Sequence, residues 1–163
     1  MLKIKALTLN HLILGTLLVY VTLHLMEEWL LGFPAWAELR WGIPGYTVSK
    51  WLFHNVYFAF FLTLGYLVYR RNNEKFLAMG LGIVVWGLLN SLNHIIFTLI
   101  FLEISPGIFT GFIFLFFAIL TWRKVRGTEK SSGKLWALSS FFGLAYWIVP
   151  IVLFISIDSM LGI

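Results

Sequence analysis

Within its first long apolar run the chain carries His24-Leu25-Met26-Glu27-Glu28-Trp29. In a helix, Glu27 and Glu28 share a face with His24 as its i+3 and i+4 neighbours. An imidazole and two carboxylates so placed can hold a divalent metal, pass a proton or form a buried ion pair. The preceding segment, Leu12 to Tyr20, is almost wholly apolar. An ionisable side chain inside a membrane span costs about 2.5–3.5 kcal/mol even on lenient insertion scales. Three on one helical turn therefore need a partner, a proton or a metal.

Other polar groups fall at a matching depth. His54 and Asn55 lie about one turn into the second apolar run, and Asn90, Asn93 and His94 lie in the outer half of the third. Glu103 stands just beyond it as a further candidate, whereas His11 lies near the opposite end of the first run. Imidazole nitrogens with carboxylate oxygens suit zinc best, with iron or manganese as alternatives, and the absence of cysteine removes thiolate sites. Di-metal helical bundles use about four carboxylates, so this set points to a single ion. The expected ligands are His24, Glu27, Glu28, His54 and His94, with Glu27 or Glu28 as the catalytic acid or base. Asn90, Asn93 and Asn55 are expected to orient those ligands from behind.

The elements that position these groups follow from composition. Of 163 residues, 60% are hydrophobic and only 12% charged, and the mean hydropathy is +0.90. A soluble domain carries about twice that charge, and a β-barrel would show short alternating segments rather than unbroken apolar runs. The fold class is all-α: one polytopic transmembrane helical bundle over residues 1–163. About 20 apolar residues per crossing give five spans, at about 8–31, 51–69, 76–102, 108–122 and 135–157. Residues 32–50 are too apolar for a solvated loop and too broken by Pro34, Pro44 and Gly45 for a span, so they read as an interfacial linker. Residues 123–134 read as a basic, flexible loop.

Charge sets the expected orientation. Of 12 Lys and Arg residues, all but Arg40 and Lys50 fall in the N-terminal segment, the second-to-third loop and the fourth-to-fifth loop. The positive-inside rule puts that side, with the N-terminus, in the cytoplasm and the C-terminus outside. The net charge of +5 is thus accounted for by topology and asks for no nucleic acid. The opening, MLKIK and an apolar run, reads as a retained first span rather than a cleaved leader.

At His24-x-x-Glu27-Glu28 the chain resembles the HXXEE family of small prokaryotic integral membrane proteins. Asn90, His94 and the turn Pro106-Gly107-x-x-Thr110 are similar to that family's second polar segment, although Ile104 and Ser105 stand where the family favours an aromatic residue. The resemblance implies a small protein of the prokaryotic inner membrane and brings no reaction with it. The leading functional expectation is a metal-dependent intramembrane hydrolase or oxidoreductase acting on a lipid or hydrophobic small molecule, alone or as a homo-oligomer. One alternative is metal-free acid/base chemistry, similar in kind to emopamil-binding-type sterol isomerases, using Glu27, Glu28, His94 and Trp86. The other is a small transporter or a binding subunit.

Overall fold

The computed structural model describes residues 7–161, which form six helices and no strand. We number them α1 (Leu9–Leu30), α2 (Phe33–Trp41), α3 (Val48–Arg71), α4 (Leu77–Phe101), α5 (Ile108–Arg126) and α6 (Gly133–Leu161). All but α2 are long and apolar enough to cross a membrane. Lys3 and Lys5, used for orientation above, lie outside the described residues.

Local chemistry sets the helix ends. The Thr8 hydroxyl accepts from the His11 N–H and His11 Nδ1 accepts from the Thr8 N–H, both at 3.2 Å. This capping box gives His11 a structural job away from the polar cluster. Thr47 caps α3 through its hydroxyl, and Ser132 accepts from the Leu135 N–H at the start of α6. α5 continues through Arg123, Lys124 and Arg126, so the basic loop is shorter than expected. Long cationic side chains are good helix formers and favour a helix C-terminus.

The linker also differs from expectation, because a two-turn helix, α2, occupies its first half. Pro34 lies in the first turn, where its missing N–H is no loss. α2 buries Phe33, Pro34 and Ala37 toward the bundle.

The long helices alternate in direction, with α4 central and packed broadly on α6 and α5. Gly82 of α4 and Gly143 of α6 make that approach close. A Cβ on Gly82 would stand 2.7 Å from Phe142 Cβ, and one on Gly143 2.5 Å from Val85 Cγ1. Tyr20, Leu62, Ile83, Trp86 and Phe114 form the buried centre. One end of the bundle gathers the C-terminal halves of α1, α4 and α6 and the N-terminal halves of α3 and α5. The polar residues singled out above meet there.

Candidate functional site

A five-residue π-helical turn, Tyr20–His24, interrupts α1 just before the Glu pair. Its i→i+5 bonding widens the turn, so residues four apart stay nearly in line. Tyr20, His24 and Glu28 are all buried on one side of α1 and border one cavity of about 110 Å³. Glu27, one residue earlier, is rotated away and belongs to a different network.

Glu27 binds the start of α5. The N–H groups of Gly107 (3.1 Å) and Phe109 (2.9 Å) donate to Oε1, while the N–H (2.8 Å) and hydroxyl (2.6 Å) of Thr110 donate to Oε2. A carboxylate at a helix N-terminus satisfies donors that have no intrahelical partner. Glu27 is thus a cap supplied by a neighbouring helix, and it is not among the cavity-lining residues.

Thr110 carries this order into the site. Its oxygen also meets His24 Nδ1 at 2.7 Å. The single hydroxyl proton goes to Glu27, so Nδ1–H of His24 donates to Thr110 and Nε2 keeps its lone pair. Asn90 Nδ2 donates to that lone pair at 2.9 Å. His94 is held in parallel, with Nδ1 against the Ser105 hydroxyl at 3.0 Å. Its Nε2 is buried without a hydrogen-bond partner.

Glu28 completes the group. Oε1 lies 3.4 Å from His24 Nε2 and 3.7 Å from His94 Nε2, and Oε2 accepts from the Trp51 indole at 2.9 Å. The three residues each offer a ligand atom within 4.8 Å of the others. Their positions fit a single metal ion, each held by another residue's side chain as metal ligands commonly are. Gly107 makes the convergence sterically feasible. Its φ is +103°, and a Cβ there would stand 2.5 Å from His94 Cε1 and 2.7 Å from His24 Cε1.

The remaining expected residues divide. His54 borders the cavity outside the three-residue group: Nδ1 contacts the Tyr46 hydroxyl at 3.2 Å, the ring stacks on Phe154, and Nε2 has no partner. Asn93 also borders the cavity. Asn55 accepts from the Tyr20 hydroxyl at 2.5 Å and donates to the Trp51 carbonyl, so it braces the Trp51–Glu28 contact. Glu103 is drawn off to α2, accepting from Arg40 Nε (2.6 Å), Arg40 Nη2 (2.5 Å) and the Trp36 indole (2.7 Å). The Arg40 hydrogen bonds hold its carboxyl below the usual glutamate range. Burial pushes the neighbouring Tyr46 hydroxyl well above its ordinary value.

Sequence reasoning missed Trp51, Ser105 and Tyr20 as site-building residues and treated Thr110 only as part of a turn. The one available signal was spacing: Trp51 lies one turn before Asn55. Together the fold and site define an all-helical, membrane-spanning-length bundle with a buried His–Glu–His centre at one end. The chain matches no protein-family model, no curated protein and no solved structure.

Proposed function

We propose that the chain is an integral membrane enzyme that binds one divalent metal through His24, Glu28 and His94 and acts on a lipid or other hydrophobic small molecule. The observation that carries this reading is the convergence of buried ligand atoms on one point. His24 Nε2 and His94 Nε2 lie 3.4 Å and 3.7 Å from the same Glu28 oxygen, and His94 Nε2 has no hydrogen-bond partner. Two imidazoles and a carboxylate buried within 4.8 Å of one another form a donor set that suits a divalent cation.

Two histidines and a glutamate leave coordination positions open, the pattern of catalytic rather than structural zinc. The same donors would accept iron or manganese. A divalent ion supplies Lewis-acid polarisation of an oxygen atom. The chain's own groups do the rest. Trp51 fixes the Glu28 carboxylate and Thr110 and Ser105 fix the two imidazoles, and a metal held by His24 Nε2 would take the place of the Asn90 hydrogen bond. His54 borders the same cavity, its Nδ1 held by the Tyr46 hydroxyl.

The HXXEE resemblance belongs to this proposal. His24, Glu27, Glu28, Asn90, His94, Gly107 and Thr110 form one connected network, which supports treating the motif and the Pro-Gly turn as one unit. Arg70, Arg71 and the basic end of α5 lie at the opposite end of the bundle. That separation supports a cytoplasmic basic end and a site near the outer leaflet of a prokaryotic cell membrane.

Elemental analysis tests the metal. Protein purified without chelator and supplemented with zinc is expected to hold one ion per chain, and His24→Ala and His94→Ala to lose it while still melting cooperatively. Wild-type protein that stays metal-free after supplementation overturns the proposal.

Trp86 favours one second reading. Its ring borders the cavity with Glu28 and His94, an aromatic-and-carboxylate set that stabilises a cationic carbon without metal. Isomerisation of a lipid by fully metal-stripped protein would establish it.

A further inference from the structure

A second concavity lies toward the other end of the bundle, on the face where α5 and α6 flank α4. It measures about 360 Å³, and Val85, Leu88, Leu115, Ala118, Trp122 and Ser140 are among its walls. Its α5 wall runs from Leu115 to Trp122, a rise of about 10 Å along the helix. The groove therefore follows the helix axes from mid-bundle to the basic end, the direction an acyl chain takes in a bilayer. Trp122 and Ser140 are exposed, so it opens sideways on the apolar surface.

Positive charge stands at its mouth. Arg126 lies one turn beyond Trp122, with its guanidinium carbon 4.5 Å from the centre of the Trp122 ring. A guanidinium stacked on an aromatic face keeps its N–H donors in its own plane, free to bind two oxygens of a phosphate. Among the described residues no carboxylate pairs with Arg126, and the ion pair at this end is Lys130–Glu74. Residues 123–134 hold Arg123, Lys124, Arg126, Lys130 and Lys134 against one acidic residue, Glu129. Membrane topology accounts for the sign of this end, but not for an arginine stacked on the wall of an apolar groove.

We infer that the groove holds an acyl chain of an anionic phospholipid whose phosphate is bound by Arg126. A basic recess between helices at the membrane surface suits such head groups. The inference rests on a membrane-embedded bundle and is independent of the metal proposed at the other end.

The test uses the full-length protein in a maltoside detergent, titrated with dioleoyl phosphatidylglycerol or dioleoyl phosphatidylcholine and read by native mass spectrometry. The two lipids share their chains, so the ratio of their affinities reads the head group alone. One phosphatidylglycerol per chain is expected, bound about fivefold more tightly than phosphatidylcholine. Arg126→Gln should lower phosphatidylglycerol affinity about fivefold, the effect of one arginine near an anionic lipid, and leave phosphatidylcholine unchanged. Ser140→Phe fills the exposed side of the groove and should weaken both lipids. Arg71→Gln removes an exposed charge on α3, outside the groove, and should change neither. Equal affinity for the two lipids, no binding of either, equal loss in the Arg126 and Arg71 variants, or affinity unchanged by Ser140→Phe overturns the inference. So does a dimer that Ser140→Phe converts to monomer with lipid binding unaltered, since the groove is then an interface between copies. Thermal midpoints of the variants separate lost binding from lost fold.

Discussion

Thr110 donates its hydroxyl proton to Glu27 at 2.6 Å, and the same oxygen accepts from His24 Nδ1 at 2.7 Å. One atom thus ties the cap of α5 to the orientation of a candidate metal ligand. Thr110→Val keeps the shape and removes the hydroxyl. It is expected to lower zinc affinity about 10- to 100-fold and stability by about 1–3 kcal/mol, because buried His24 and half-buried Glu27 each lose a partner. Thr110→Ser should recover most of both. Competition titration with a zinc chelator and thermal melting check the pair of effects.

Adjacent carboxylates should respond oppositely. Glu28→Gln is expected to abolish metal binding with a small change in melting, since its Trp51 contact can persist through the amide oxygen. Glu27→Gln weakens four charge-assisted hydrogen bonds and should cost about 2 kcal/mol of stability. It should retain metal wherever the fold survives. Metal content and melting, measured on both variants, decide it. Equal metal loss in the two would contradict the division.

Gly107 tests the packing of the two imidazoles. Gly107→Ala forces a left-handed backbone onto a Cβ that also collides with His94 and His24. A loss of more than about 3 kcal/mol is expected, from strain plus collision. Gly111→Ala, four residues along α5 with only ordinary contacts to Ser91, should be neutral or gain up to about 1 kcal/mol from helix propensity. Melting midpoints of the two proteins in one detergent compare them directly.

The Arg40–Glu103 ion pair fastens α2 at the site end of the bundle, where its Trp41 borders the cavity. Glu103 has a depressed pKa in the folded protein. Its contribution is therefore complete above the ordinary glutamate value of 4.5 and is lost as the pH falls through the lower folded value. The chain has no cysteine, so Leu39→Cys on the exposed face of α2 takes a single spin label. Label mobility should rise as the pH falls through the depressed Glu103 value, below 4.5, in the otherwise native protein. In Glu103→Gln it should already be raised at neutral pH and change little on acidification.

Much of the fold was legible because spans depend on local properties. A run of about 20 apolar residues is long enough to span wherever it packs, so five helices of membrane-spanning length could be read without knowing any neighbour. The depth of His24, Glu28, His54 and His94 followed from counting along those runs. α2 was harder, since Pro34, Pro44 and Gly45 break the apolar run around it. Its helix-start proline was nevertheless a readable signal.

What the sequence by itself determined is the set of polar residues and the end of the bundle where they sit. Which of them face one another was decided only by tertiary structure. Glu27 and Glu28 are neighbours in sequence, yet about 100° of helix rotation separates them. That rotation matters only once α5 presents free N–H groups to one and α3 presents the Trp51 indole to the other. The π turn at Tyr20–His24, which keeps Tyr20, His24 and Glu28 on one side of α1, left no mark in the apolar pattern. Glu103 likewise lies close to His94 along the chain but pairs with Arg40, because packing brings α2 against the end of α4. Composition supplied the candidates, and contacts among helices far apart in the chain assigned their partners.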